Sequence, residues 1–303
     1  MSVLTRQGKA YLYGLVAVLA WSTVATAFKI SLKHLTPSQL VLYASTASFL
    51  ILFTVLTVQG RLPELSVAFR RHWKRSLLLG AVNPFVYYLV LFRAYDLLPA
   101  QEAQAINYTW ALTMTLMAIP LLKQTPRRAD VVAALVCYLG VLVIATRGEI
   151  LALHFSNREG LVYALVSTVL WAGYWIFNAR DDREPVIGLA LNFGFALPMA
   201  FVWCLLGDGL GQPSSEGWLG AAYVGVFEMG LTFVAWLMAM KLTESTARIA
   251  NLIFLSPLLS LVLIHAVVGE TIYPSTFVGL SLILGGLALQ KWLTRVPAAA
   301  GAA

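Results

Sequence analysis

What most constrains this chain is a recurring pattern: apolar runs of about twenty residues, separated by short breaks that hold most of its charge. Roughly 20 apolar residues cross a bilayer core as a helix, which rises about 1.5 Å per residue. In hydrocarbon the backbone must satisfy its own hydrogen bonds, and for runs of this length only the α-helix does so. Ten such runs can be traced, at residues 9–30, 38–59, 74–96, 100–122, 129–147, 158–179, 185–206, 217–241, 245–268 and 274–293. Composition agrees. Only 12% of the 303 residues are charged and 59% are hydrophobic, whereas soluble chains are about a quarter charged. The surplus apolar surface must face lipid. The predicted fold is an all-α polytopic membrane protein of ten transmembrane helices.

The net charge of +7 would suit an acidic partner, but the basic residues sit in short breaks between apolar runs. They therefore report topology, and no nucleic-acid partner is predicted. With the N-terminus inside, only Lys29, Lys33, Arg93, Arg147 and Arg158 of the 21 Lys and Arg residues fall outside. Basic residues concentrate in cytoplasmic loops, so both termini are predicted to be cytoplasmic. The first apolar run is too long for the core of a cleavable signal and reads as the first span. Cys137 and Cys204 lie inside apolar runs and are expected to be buried thiols.

The chain also resembles itself. A shift of 145 residues lays Gly80 on Gly225, Ala94 on Ala239, Leu97 on Leu242, Ala105 on Ala250 and Gly140 on Gly285. A shift of 150 lays Trp21 on Trp171. The offset stays nearly constant over three consecutive spans, which single chance matches would not do. The repeat is five spans long, so residues 1–150 and 151–303 are expected to form two five-helix halves. Five is odd, so the second half must enter the membrane from the opposite side. Such inverted halves are common in secondary transporters, with the substrate site near the midplane between them.

The paired tryptophans Trp21 and Trp171 and the Gly-rich last span (Gly279, Gly285, Gly286) carry a family pattern. So do the short breaks Leu97–Ala100 and Leu242–Ser245, each followed by a Pro-containing helix (Pro120, Pro257). The chain resembles the EamA-type members of the drug/metabolite transporter superfamily over nearly its whole length. Within them it is most similar to aromatic amino-acid exporters, through residues 80–88 and the stretch Ile106-Asn107-Tyr108-Thr109-Trp110. The resemblance implies export of phenylalanine, tyrosine, tryptophan and related metabolites from a bacterial cytoplasm across the inner membrane, with no cofactor.

Glu228, near the middle of the eighth span, is the sharpest single feature. A carboxylate at bilayer depth is costly unless it faces water or a partner. The 145-residue shift places it on Asn83, so two polar groups meet the midplane at related positions. Both are expected to line a cavity, with Glu228 able to receive an ammonium group or a proton; a neutral carboxyl tying helices together is the plainer alternative. Pro84 frees a backbone carbonyl and is expected, with Pro257, to act as a hinge. A neutral aromatic solute needs an aromatic-lined pocket with a few polar groups. The deep aromatics Trp21, Tyr87, Tyr88, Trp110, Trp171 and Trp175 are therefore candidate substrate contacts, with Asn107, Asn251 and Ser256. Asn107, Trp110 and Met114 share one face of a continuous helix, as do Trp171, Tyr174, Trp175 and Asn178. Each alone is as readily explained by packing. Gly279, Gly285 and Gly286 are expected to let helices approach closely, and His265 to be a packing residue.

A phosphate-cradling Gly-rich loop and a metal-ligand spacing are both absent from the sequence. The leading reading is a secondary transporter, working as a monomer by alternating access through a central cavity. A broad drug/metabolite or nucleobase exporter is the nearest alternative. Phosphate-bearing solutes would call for Lys or Arg at mid-span, and none falls there. An intramembrane enzyme would need a nucleophile and base paired at membrane depth. A passive channel would need a continuous polar stripe, whereas these spans carry isolated polar residues among aromatics.

Overall fold

The structure, a computed structural model, describes residues 5–122, 128–151, 156–178, 181–243, 252–253 and 255–293. Every regular element among them is helical. In chain order they are α1 (Arg6–Ser31), α2 (Pro37–Val58), α3 (Leu62–Gly80), α4 (Tyr87–Leu97), α5 (Ala100–Asn107), α6 (Trp110–Leu122) and α7 (Arg128–Ala145). The second half of the chain holds α8 (Arg158–Asn178), α9 (Pro185–Leu206), α10 (Ser215–Tyr223), α11 (Thr232–Leu242), α12 (Leu255–Leu263) and α13 (Pro274–Leu293). Wide, π-helical turns fill Ala81–Val86, Val224–Leu231 and Ile264–Val268.

Among the described residues, six stretches are long and apolar enough to cross a membrane: α1, α2, Leu62–Leu97, α8, α9 and Ser215–Trp236. Val131–Ala145, Leu255–Val268 and Pro274–Leu289 are shorter apolar helices. A helix of 22 residues such as α2 spans about 33 Å, enough for a hydrocarbon core of about 30 Å. Large side chains such as Leu12, Leu78, Leu135, Trp203 and Leu258 stand exposed along these helices, as lipid-facing positions should. The chain is a multi-pass membrane protein.

Helix starts follow local chemistry. Thr36 caps α2 reciprocally with Gln39, and Pro37 occupies the first turn, where its missing N–H costs nothing. Glu184 and Ser214 accept from Ile187 N and Gly217 N at the starts of α9 and α10.

Two elements differ from the sequence expectation. The helix that leads into the third apolar run already starts at Leu62, before residue 74, and bends at His72 (φ −125°, ψ 16°). The stretch around that bend carries Arg70, Arg71, Lys74 and Arg75, so apolar runs alone could not reveal it. The fourth span is not continuous. Tyr108 and Thr109 form a turn between α5 and α6, and Thr109 Oγ1 donates to the Ile106 carbonyl at 2.8 Å. Such local bonds compete with the helical ladder.

Helix partners follow a consistent exchange. α1 packs on α11 and α12, while α8 packs on α4 and α6. α2 packs on the wide turn Val224–Leu231 and on α10, while α9 packs on α3 and the wide turn Ala81–Val86. α2 packs on α9, and α7 on α13. At the crossings two glycines bring backbones together. A Cβ on Gly80 would lie 2.3 Å from the Asn192 carbonyl oxygen, and one on Gly225 would lie 2.2 Å from that of Ala44. In α13 the expectation holds for Gly279, whose added Cβ would meet the Gly140 carbonyl oxygen at 2.5 Å, but not for Gly285, which faces open space.

Gly80→Ala and Gly225→Ala should each destabilise by about 1–3 kcal/mol, because rigid backbone must move aside. A fluorescence melt of the detergent-purified protein should show midpoints lowered by several degrees for both, and Gly285→Ala unchanged.

Candidate functional site

The wide turns position the two polar residues that the sequence singled out. In Ala81–Val86 the helix opens at Asn83, whose φ of −141° and ψ of 117° are extended. Pro84 follows it and supplies no N–H. In Val224–Leu231 the ladder is widened around Glu228, and Thr232 Oγ1 donates to the Phe227 carbonyl. Both polar side chains are buried, Asn83 at 3% and Glu228 at 9% exposure. Tyr88 Oη donates to Glu228 Oε1 at 3.2 Å, and Trp21 stands against the same carboxyl. Glu228 Oε2 is buried without a partner among the described residues.

Aromatic rings surround this carboxyl. Tyr87 packs edge-on against Tyr88, with centroids 4.8 Å apart, and stacks on Trp171 at 4.6 Å. Trp171 also meets Trp110 at 6.5 Å, Tyr174 at 5.9 Å, Trp175 at 5.8 Å and Phe233 at 5.8 Å. Trp21 closes the other side against Phe233 at 5.9 Å and Trp236 at 5.3 Å. Offset and edge-on pairs of this kind are favoured by the ring quadrupoles. The cluster draws on α1, α4, α6, α8 and α11, so both halves of the chain contribute.

The polar residues of the fourth span extend the cluster. Asn107 Nδ2 donates to Ser167 Oγ at 2.9 Å, and its side chain also bonds Tyr87. Tyr108 Oη donates to Ser256 Oγ at 2.8 Å. Asn107 and Trp110 thus both reach α8, although the turn at Tyr108 separates them from one continuous face. Asn251 lies outside the described residues. Pro257 is buried, third in α12, where its missing N–H breaks no bond within that helix.

Sequence reasoning missed Phe233 and Asn192. Phe233 lies 145 residues from Tyr88, so the internal repeat could have found it. Asn192 is a buried polar residue inside an apolar span, a signal that was present but lacked a partner in sequence. Its side chain and that of Asn83 bond the Tyr174 hydroxyl.

The two ends of the assembly differ. At the end of α1, Lys29 Nζ donates to the Tyr95 and Leu98 carbonyls at 2.6 and 2.7 Å. Nearby, Glu270 accepts from Ala100 N at 2.8 Å, capping α5, and Gln101 bonds Thr271 and Thr276. At the opposite end, the α8–α9 connection carries a buried ion pair, Arg183 Nη2 to Asp181 Oδ2 at 2.6 Å. Burial works against the Asp181 charge. Bonds from the Arg183 side chain and N–H, with Arg75 nearby, still hold its carboxyl below the ordinary value. The pair's stabilisation is therefore present above the ordinary carboxylate range and fades only as pH falls through that lowered value.

Against known proteins, the family model described as the EamA-like transporter family matches residues 8–146 and 158–290. The chain belongs to that family. It is 28% identical to the aromatic amino acid exporter YddG of Ancylobacter novellus, over 95% of this chain and 99% of that one. It is 23% identical to an uncharacterized transporter of Archaeoglobus fulgidus over 93% and 96% of the two chains. It is also 22% identical to the uncharacterized inner membrane transporter YhbE of Escherichia coli over 56% and 53%. A crystal structure of 24% sequence identity superposes with a TM-score of 0.67 over 94% of this chain and 97% of the other, so the fold is a known one. The aromatic cluster of this EamA-like transporter sits where residues of both matched segments meet, and the family is one of transporters, not enzymes.

The Tyr88–Glu228 bond should be energetically coupled. Tyr88→Phe should destabilise the protein by about 1–3 kcal/mol, because it strips a donor from a buried carboxyl. In a double-mutant cycle with Glu228→Met, which removes the acceptor, the losses should fall short of additivity by more than about 0.5 kcal/mol. Additive losses in thermal melts would show that the contact carries no such energy.

Proposed function

We propose that this transporter exports aromatic amino acids and related neutral metabolites from the bacterial cytoplasm across the inner membrane, by alternating access. One observation carries the reading: a buried aromatic cluster built from both halves of the chain surrounds one carboxyl, Glu228, with an unpartnered oxygen. Aromatic walls suit an aromatic side chain, and a carboxyl suits its ammonium group. The full-length likeness to a protein named as an aromatic amino acid exporter supports the same solute class.

The architecture in this reading is ten spans in two inverted five-helix halves, 1–150 and 151–303, with both termini cytoplasmic. Two features support it. The family match falls in two stretches, 8–146 and 158–290. The helix partners also exchange consistently when each span of one half is replaced by its counterpart in the other. Halves related in this way can rock about the shared cluster and open it to each side in turn. Pro84, beside the wide turn at Asn83, is the hinge of the first half. The protein works as a monomer, since each chain supplies both halves.

In liposomes, labelled phenylalanine and tryptophan should show saturable uptake that alanine and glutamate do not inhibit. Trp171→Ala should cut the initial rate more than tenfold, since it removes the ring on which five others rest. A pH gradient that drives wild-type uptake but not uptake by Glu228→Gln would assign proton coupling to that carboxyl. If correctly inserted protein takes up no amino acid, the substrate reading fails, and nucleobases and drugs become the solutes to test.

A further inference from the structure

Against one side of the aromatic cluster, a cavity of about 260 Å³ opens where α8 turns into α9. Tyr174, Trp175 and Phe233 form its apolar part, and Asn178, Asn192 and Arg183 its polar part; of the two carboxylates that also line it, Asp181 is paired with Arg183, and Glu184 accepts from Ile187 N and meets Arg61. The volume lies just under the roughly 300 Å³ at which small-ligand pockets usually begin, so it admits one small solute and excludes a nucleotide sugar. Two donors at this cavity lack acceptors. Trp175 Nε1 is buried with no hydrogen-bond partner among the described residues. Arg183 has five N–H bonds. Its Nε serves Asp181, Nη2 serves Asp181 and Asn192, and one N–H of Nη1 serves Ser76 Oγ at 2.6 Å, leaving the other Nη1 N–H without a described acceptor. The guanidinium is 2% exposed and rigidly held.

A buried indole N–H and a fixed guanidinium N–H at one cavity, beside the rings of Tyr174 and Phe233, are complementary to a carboxylate attached to an aromatic group. We propose that this cavity is a second, loading site for aromatic α-amino acids, in which Trp175 and Arg183 receive the carboxylate. The inference rests on the aromatic amino-acid reading above and adds a place and a role to it. Trp171 separates the loading site from Glu228. It touches Tyr174, Trp175 and Phe233 on the cavity side and Tyr87 on the other. A solute seated here would pass to the central cluster when the Trp171 ring swings aside. The carboxylate is recognised at the first stop and the ammonium group at the second.

The test uses purified full-length protein, with phenylalanine and phenethylamine as probes; the latter lacks only the carboxylate. Trp175→Phe keeps a ring and removes the N–H. Wild type should bind phenylalanine at least tenfold more tightly than phenethylamine. Trp175→Phe should lose most of that preference, through weakened phenylalanine binding, in protein that still melts cooperatively. The position is read separately with Gly188→Cys. Gly188 lines the cavity, and a Cβ there would lie 3.6 Å from the Arg183 guanidinium carbon, an ordinary contact. The native Cys137 and Cys204 are buried, so maleimide labelling reads position 188. Phenylalanine should slow that labelling severalfold and phenethylamine should not. An unchanged preference in Trp175→Phe, or no protection at position 188, in protein that still binds phenylalanine overturns the loading site alone. Absence of phenylalanine binding by folded wild type overturns the aromatic reading and the loading site together.

Discussion

Hydrocarbon supplies no hydrogen bonds, so a carboxyl at the depth of Glu228 must find its partners within the protein. Much of the interior is set by that requirement. Tyr88 must come from α4 to donate to it, Trp21 must come from α1 to cover it, and both rings need neighbours to hold them. Trp171 is the meeting point, touching rings from α4, α6 and α11 as well as its own helix. The polar group fixes where the aromatic rings go, and they in turn exclude water from it.

The wide turns make that placement possible. An ideal helix crossing a neighbour at Gly80 or Gly225, with backbone in contact, would continue its side chains in a fixed spiral. An added residue in the turn rotates the rest of the helix about its axis, so Asn83 and Glu228 point inward just past the close crossings. π-helical turns cost hydrogen-bond geometry and recur at functional sites. Two of them carry Asn83 and Glu228, the polar residues that lie 145 positions apart in the sequence.

Charge is handled differently at the two ends. Lys29 and Glu270 are spent on backbone groups, tying the end of α1 and the start of α5 into the turn after α4. Arg183 and Asp181 instead form a buried pair beside an open cavity, with Ser76 and Asn192 completing most of the guanidinium's bonds. A buried pair is a weak source of stability, because desolvation offsets its attraction. Its value here is a guanidinium held in one orientation at the edge of a space large enough for a solute.

The sequence by itself determined the class of structure and several of its contents. Apolar runs long enough to cross a bilayer force helices, and the scarcity of charge forces lipid around them. The internal repeat marked Asn83 and Glu228 as counterparts, and the depth of Glu228 marked it as a site, since polar groups are costly there wherever the helices pack. The tertiary structure decided what adjacency decides. The helix of α3 begins at Leu62, in a polar and largely exposed stretch, while the residues it buries lie at its far end, which no hydropathy reading could reveal. Where the fourth span breaks, Asn107 and Tyr108 bond across to α8 and α12. Gly285 faces open space while Gly279 meets backbone, a difference set by rotation about one helix axis. Arg183 read as a loop charge until the fold buried it beside Asn192, nine residues along the chain but one hydrogen bond away. Periodicity and depth are properties of one segment and can be read from it. Partners belong to pairs of segments, and only packing brings them together.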